Sequence, residues 1–201
     1  MVFWYTTEMA RRPSSFSLAM TLVGVGVVGL ALSMVLTSDT RWMQWHLSRL
    51  GEGNQLSAAI FNYTLMLAAL ILVLLATRLA TEIQQRDPQE KARYVKNMLL
   101  ATAVGWVGLG VFPFDRFQTI HHIFGYGQML LICILMLTLK YTNRHFSQRT
   151  HGAGLFGVLI AGTLMACYHL LGVPTLLVVE LCGQIVLFLW LLSMTADLRE
   201  P

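Results

Sequence analysis

Four residues that could do chemistry lie within eight positions of one another near the middle of the chain. They are Asp115, Arg116, His121 and His122, and they lie beside Pro113 between two long apolar runs. Because proline cannot continue a helix, both helix ends are expected at the same membrane surface. A carboxylate, a guanidinium group and two imidazoles so close together favour acid–base catalysis, metal binding or anion recognition.

Further residues of the same chemical types flank other loops that a helical bundle would bring to this side. In chain order they are His46, Ser48, Arg49, Tyr168, His169 and Glu180. Glu180 lies inside an apolar run, where an acid is costly unless it is paired, protonated or facing a wet cavity. This residue therefore predicts a polar partner or a cavity within the bundle.

Small and polar residues recur beside these groups at helical spacing. The two stripes are Glu180, Gly183 and Gln184 on one run and His121, Gly125 and Gln128 on another, and Asn62 adds a polar group on a third. Residues three or four positions apart share one face of a helix. The stripes therefore predict one wet pocket, lined by several helices, at one end of the bundle.

The composition indicates that membrane-spanning helices hold these residues. Of the 201 residues, 56% are hydrophobic and 12% are charged, which is too apolar for a soluble domain of this size. The apolar runs predict an all-α integral membrane bundle of six transmembrane helices, in a single domain that covers residues 1–201. The predicted helices are 16–37, 58–80, 98–112, 119–141, 152–172 and 175–195.

Lys and Arg are distributed unevenly over the predicted loops. Eleven of the 14 accompany the two termini and the connectors between helices two and three and helices four and five, among them Arg11 and Arg12. Only Arg41, Arg49 and Arg116 lie on the other side. The positive-inside rule therefore places both termini in the cytoplasm and the polar pocket at the outer face. Because topology accounts for the net charge of +4, no nucleic-acid partner is expected.

One interpretation of the pocket is a zinc site. The candidate ligands are His46, His121, His122 and His169, with Asp115 or Glu180 as a further ligand or as the base. A zinc ion with an open position would activate a water molecule, hydrogen-bonded to Ser48, to attack a lipid ester or amide. The spacing argues against such a hydrolase, because no His-x-x-x-His pair places two ligands on one helix face.

A structural interpretation stays open beside the enzymatic one. In it each polar residue has its own partner, so that His121 caps a helix, Asp115 pairs with Arg116 or with a helix N-terminus, and Glu180 accepts a hydrogen bond from the outer loop. His169 would then lie at the level of the lipid headgroups.

Two non-enzymatic functions are also compatible with the pattern. The chain could bind lipid or serve as an accessory subunit or homo-oligomer, with Arg49, Arg116 and His121 recognising an anionic headgroup. The candidate ligand-binding residues are Arg49, Asn62, Arg116, Gln128, Tyr168 and Gln184. In a haem protein, His122 and His169 would be the axial ligands, although both lie near the membrane surface.

Three short motifs resemble a known family. They are Leu47-Ser48-x-Leu50-Gly51 in the first polar loop, Phe61-Asn62 at the start of the second helix, and Gly110-x-Phe112-Pro113 ahead of His121 and His122. Over nearly the whole chain the pattern resembles the bacterial six-helix membrane proteins catalogued as domain of unknown function 998. The resemblance implies a multi-pass protein of the bacterial cytoplasmic membrane with polar motifs on one face.

A second set of residues is similar to another superfamily. Ser48, Asp115, His121 and His169 are similar to the residues that serve the intramembrane hydrolases, a superfamily that includes alkaline ceramidases and adiponectin-receptor-like proteins. This resemblance implies a zinc ion held by three histidines near a Ser and an Asp. The chain departs from that pattern, because those proteins have seven helices and a paired-histidine motif on the last one, whereas run 175–195 contains no histidine.

Overall fold

The computed structural model describes residues 13–88 and 91–199 of the chain. Within these ranges all regular structure is helical, and six helices are long and apolar enough to cross a membrane. They are α1 (Ser15–Leu36), α2 (Leu56–Arg86), α3 (Ala92–Val111), α4 (Phe114–Thr142), α5 (Gln148–Leu171) and α6 (Leu176–Asp197). The predicted all-α bundle of six membrane-spanning helices is confirmed, and the chain is a multi-pass membrane protein. Arg11 and Arg12, which entered the charge argument, lie outside the described residues.

The helices extend beyond the predicted apolar spans at the charged connectors. α2 continues to Arg86 and α3 begins at Ala92, so the connector between them covers residues 87–91 and not the predicted stretch 81–97. Apolar length predicts only the part of a helix that crosses the hydrocarbon region. Glu, Gln, Arg and Lys are good helix formers, so the polar flanks continue as helix in water.

The stretch between α3 and α4 is also more helical than predicted. α3 ends at Val111, and α4 begins at Phe114, directly after its N-cap residue Pro113. Proline is favoured at a helix start because its missing N–H has no intrahelical partner there. A kink at Phe117, with φ −135° and ψ 47°, then turns α4 into the bundle. The predicted loop 113–118 is therefore the kinked start of a helix.

The six helices form a closed ring in chain order. Each helix packs against the next one along the chain, and α6 packs back against α1. Glycines permit close approach at these contacts, because a side chain at Gly29 would collide with Thr64 of α2, and one at Gly108 would collide with Phe124 of α4. The ring therefore surrounds an interior space to which all six helices contribute.

The two ends of this ring differ in packing. The histidine end is the end near residues 37–55, 112–113 and 172–175, and the connector end is the end near residues 87–91 and 143–147. Large apolar side chains fill the interior toward the connector end. Those with 0% exposure there include Leu79, Leu99, Leu139 and Met194. The connector end is therefore a close-packed core.

Acidic side chains close two helix ends at the connector end. Glu82 accepts hydrogen bonds from the hydroxyl group of Ser15 and from its backbone N–H, which lies 3.2 Å away. Glu82 also accepts one from Arg78 Nε at 2.7 Å. Asp197 accepts one from the N–H of Ser147, the N-cap residue of α5, at 2.8 Å. Since the first amides of a helix have no intrahelical acceptor, both carboxylates complete the start of a helix.

Candidate functional site

The interior of the ring opens toward the histidine end into a cavity of about 580 Å³. All six helices and the loop between α1 and α2 contribute to its wall. The residues that line its deep part are apolar and include Leu30, Ala68, Met129, Ile132, Met136, Ala161 and Val186. The polar lining residues are His46, Ser48, Thr64, Gln118, His121, His122, Tyr126, Gln128, Tyr168, Glu180 and Gln184. The cavity is therefore amphipathic.

The cavity is long. On α4 its lining extends from Phe114 to Met136, and the part from His121 to Met136 corresponds to about 22 Å at a rise of 1.5 Å per residue. Beyond Gln128 the lining residues of α4 are apolar, so this part of the cavity suits an extended hydrocarbon chain.

One flank of the cavity is open toward the surface of the bundle. Val27 of α1 and Ile185 of α6 both line it and are more than half exposed. Farther from the histidine end the two helices are in contact, because Phe188 packs directly on Gly26, so the opening lies on the histidine side of that contact. A molecule in the surrounding hydrocarbon could therefore reach the cavity between α1 and α6 without first entering water.

The loop 37–55 folds over the polar part of the cavity. It contains two short 3-10 helices, Thr40–Met43 and Leu47–Gly51. The start of α6 holds this loop through two hydrogen bonds, since Leu177 N–H donates to Trp45 O at 3.0 Å and Leu47 N–H donates to Glu180 Oε2 at 2.5 Å. The predicted outer-loop donor for Glu180 is confirmed.

Three residues predicted for the site hold the same loop from the other side. Asn62 Nδ2 donates to Gly51 O at 3.0 Å, Asp115 Oδ2 accepts from Gly53 N–H at 3.2 Å, and Arg116 donates to Asn54 Oδ1 at 2.8 Å. Asp115 Oδ2 also lies 3.9 Å from Arg116 Nε, which confirms the predicted pairing. Neither Asn62, Asp115 nor Arg116 lines the cavity.

Three histidines surround the ring of Phe114 at the first turn of α4. The Phe114 ring centroid lies 4.6 Å from that of His46, 5.7 Å from that of His121 and 5.2 Å from that of His122, each in an edge-to-face arrangement. His122 in addition stacks on Tyr126 at 5.5 Å. An aromatic ring therefore occupies the space between the three imidazoles.

His121 caps α3, as the structural interpretation predicted. Its ring is buried, and Nδ1 lies 2.8 Å from the carbonyl oxygen of Phe112, the C-cap residue of α3. A carbonyl oxygen only accepts hydrogen bonds, so Nδ1 carries the proton. In the neutral imidazole Nε2 is then a hydrogen-bond acceptor, and His121 presents it from the wall of the cavity.

His46 is the most deeply buried polar group of the loop. Its side chain is 6% exposed, and Nε2 has no hydrogen-bond partner among the described residues. Burial, together with the neighbouring His121 and Arg49, lowers the pKa of His46 to about 4. His46 is therefore neutral at pH 7.

Arg49 belongs to an ionic cluster within the loop and does not line the cavity. Its Nε lies 3.3 Å from Asp39 Oδ2, and its Nη1 lies 3.7 Å from Glu52 Oε2. Hydrogen bonds from Arg41 hold the pKa of Asp39 far below its ordinary value, whereas burial raises the pKa of Glu52 against the opposing effect of Arg49. Arg49, which was expected to bind an anionic headgroup, therefore forms ion pairs with two carboxylates of the loop.

The remaining predicted ligand-binding residues line the cavity. Gln128 Oε1 accepts a hydrogen bond from Trp106 Nε1 at 3.1 Å, which leaves the NH₂ group of the same amide as a donor. Gln184 lines the cavity one helical turn after Glu180, and Tyr168 lines it from the end of α5. Both predicted polar stripes therefore face one cavity.

Three of the predicted zinc ligands, His46, His121 and His122, lie around the Phe114 ring, whereas His169 lies apart from them. Among residues 13–88 and 91–199, no three His, Cys, Asp or Glu side chains are grouped so that they could hold a metal ion. The two predicted haem ligands are also apart. His122 lines the cavity, whereas His169 is exposed, contacts Tyr168 and does not line the cavity. Zinc and haem binding stay predictions that this arrangement of donors does not support.

Sequence reasoning missed the aromatic side chains of the site. Phe114 was placed in a loop, and its contact with three imidazoles could not be inferred from spacing. Tyr126 was available from the sequence, because it follows His122 by four positions and such residues meet on one helix face. The rings of Phe114 and Tyr126 contact the imidazoles and so help to fix where these lie.

Comparisons with family models, with curated proteins and with solved structures find no match to this chain. The two family resemblances in the sequence therefore stay predictions.

Proposed function

We propose that this multi-pass membrane protein binds one single-chain, lipid-like amphiphile inside its ring of helices. The polar head of the ligand lies at the histidine end, and its chain lies between α1, α4, α5 and α6. The observation that carries this proposal is the lining of the cavity, which joins a polar cluster to a long apolar part. Pockets for small molecules typically have volumes of this order and combine an apolar wall with a few polar groups.

The volume of the cavity limits the size of the ligand. At about 30 Å³ for each non-hydrogen atom, the share of one water molecule in the liquid, about 580 Å³ holds roughly 19 such atoms. This number corresponds to one long alkyl chain with a small head. A phospholipid with two acyl chains is too large for it.

Binding without turnover agrees best with the roles of the polar residues. His121, Asp115 and Glu180 each make a hydrogen bond that closes a helix end or fixes the loop 37–55. A zinc-dependent hydrolase of lipid esters or amides would need these groups to converge on one ion. We therefore favour a lipid-binding or accessory protein, with hydrolysis as the alternative.

We also propose that the histidine end faces outward, with both termini in the cytoplasm of a bacterial cell. The distribution of Lys and Arg supports this orientation, because 11 of 14 accompany the termini and the connector end. The cavity then draws its ligand from the outer leaflet, through the open flank between α1 and α6.

Mass spectrometry of the intact protein released from detergent tests the proposal, because it counts the lipids bound to each chain. Ala161 lines the cavity, whereas Ala166 on the same helix is exposed and does not. Wild type and Ala166→Phe should each carry one single-chain lipid. Ala161→Phe should carry none, because the phenyl group of the new side chain fills the cavity. Equal lipid content in the two variants, or none in wild type, would contradict the proposal.

A further inference from the structure

The residues that line the cavity carry no cationic side chain. Among the described residues in its wall there is no Lys or Arg, and Glu180 is the only acid. Arg49 is engaged by Asp39 and Glu52, and Arg116 donates to Asn54 at the outer surface with a side chain that is 57% exposed. An anionic head in the cavity would therefore lack a partner for its charge, which is costly away from water. This finding argues against the expectation that Arg49, Arg116 and His121 together recognise an anionic headgroup.

Two of the three histidines in the cavity wall do not supply the missing positive charge. His46 is neutral at pH 7 because burial lowers its pKa to about 4. His121 donates from Nδ1 to Phe112 O, so its Nε2 is an acceptor in the neutral ring. The cavity therefore presents a neutral His46 and, from His121, a hydrogen-bond acceptor to a ligand.

Acceptors toward the cavity come from two helices. His121 offers Nε2 from α4, and Glu180 offers its remaining lone pairs from α6, since the N–H groups of Leu47 and Ser48 occupy only two of the about four sites of a carboxylate. His46 Nε2, buried and without a partner, lies at the same end of the cavity. A buried polar atom without a partner is costly, so a ligand that bonds to it is stabilised in return.

We propose that the ligand head is an uncharged hydroxyl group, as in a long-chain alcohol or phenol. This inference rests on the proposed function. The hydroxyl O–H donates to His121 Nε2 or to Glu180, and its oxygen accepts from a tyrosine of the cavity wall, Tyr126 or Tyr168. A primary ammonium group fits less well, because burying it is costly and Glu180 is the only acid among the described lining residues that could offset the cost.

Competition binding on the full chain in detergent tests the head chemistry at constant chain length. Tritiated hexadecanol is the probe, and the competitors are unlabelled hexadecanol, hexadecyl methyl ether, hexadecyl sulfate and hexadecylamine. Hexadecanol should compete at least about tenfold better than the ether, which cannot donate, and than the sulfate, which stays anionic. Equal competition by the ether or the sulfate, or stronger competition by the amine, would overturn the inference.

Two substitutions locate the head group. His121→Phe should weaken hexadecanol binding by about tenfold or more, since the acceptor is lost. His169→Phe makes the same change at an exposed position outside the cavity and should leave binding unchanged. Because His121 also caps α3, Glu180→Gln serves as a second variant. This variant keeps an acceptor for Leu47 N–H. It should reduce the ratio of the affinities for hexadecanol and for hexadecyl methyl ether.

The outcomes separate this inference from the function on which it rests. If no hexadecyl compound binds, the proposed function fails and the inference fails with it. If all of them bind equally and Ala161→Phe blocks every one, the lipid-binding function stands and the inference about the head group is wrong.

Discussion

The two ends of the ring use the same residue types for different purposes. At the connector end, Glu82 accepts hydrogen bonds from Ser15 and Arg78 above an interior filled with leucine side chains. At the histidine end, Glu180 likewise accepts a backbone N–H, but it lines an open cavity. A buried acid is therefore not in itself a sign of function. The space beside it decides whether its second oxygen can meet a ligand.

The largest expected difference between the ends is the cost of removing an apolar side chain. Leu139 is 0% exposed in the core at the connector end, whereas Leu65 lines the cavity. Leu139→Ala should lower the free energy of unfolding by about 3 kcal/mol, because a new void opens in a close-packed region. Leu65→Ala should cost only about 1 kcal/mol, since its neighbours already border empty space. Thermal unfolding in one detergent compares the two, and equal costs would mean that the cavity is packed like a core.

Removing an acidic side chain should also lower the free energy of unfolding more at the connector end than at the histidine end. Glu82→Ala removes the acceptor of three hydrogen bonds and leaves Arg78 without its partner, so we expect a loss of about 3 kcal/mol. Glu180→Ala removes the acceptor of the Leu47 amide and should cost about 1 kcal/mol. The reverse holds for lipid retention, which Glu180→Ala should reduce and Glu82→Ala should preserve in the folded fraction. A Glu180 variant as unstable as the Glu82 variant would remove the distinction between the ends.

Residue patterns predicted the fold better than they predicted the site. Apolar length identifies six spans, because hydrocarbon requires about 20 apolar residues for each crossing. The stripes of Glu180, Gly183 and Gln184 and of His121, Gly125 and Gln128 identified two walls of the cavity, because helical spacing fixes which residues share a face. Spacing within one helix says nothing about the kink at Phe117 or the path of the loop 37–55. Those features decide that Asn62 and Asp115 hold the loop and do not line the cavity.

Acid should act on the histidine end through His46. Its folded pKa is about 4 against an ordinary 6.5, so folding favours the neutral ring. The stability that this provides is complete above pH 6.5 and is lost as the pH falls toward about 4. At 1.36 kcal/mol for each pKa unit, reduced for partial contact with water in the cavity, the loss is about 2 kcal/mol.

A comparison of wild type with His46→Phe isolates this effect. His121, His122 and Arg49 face His46, and Glu52 and Asp39 titrate nearby in both proteins. The unfolding temperature of wild type should fall more steeply between pH 6.5 and 4 than that of His46→Phe. Parallel curves would assign the acid sensitivity to the carboxylates.

The smallest expected effect concerns the cover of the open end. Asn62→Leu removes the hydrogen bond to Gly51 O and should loosen the loop 37–55 by about 1 kcal/mol. Hydrogen exchange should then accelerate at the amides of Leu47–Gly51 and stay unchanged in the middle of α2, where Leu72 and Leu75 are buried. Tyr63→Phe, at an exposed neighbouring position, is the control and should change neither region. Faster exchange throughout α2 would show that the loop is part of the core. Exchange confined to the loop would show that a separately stabilised segment closes the histidine end, in contrast to the close-packed connector end.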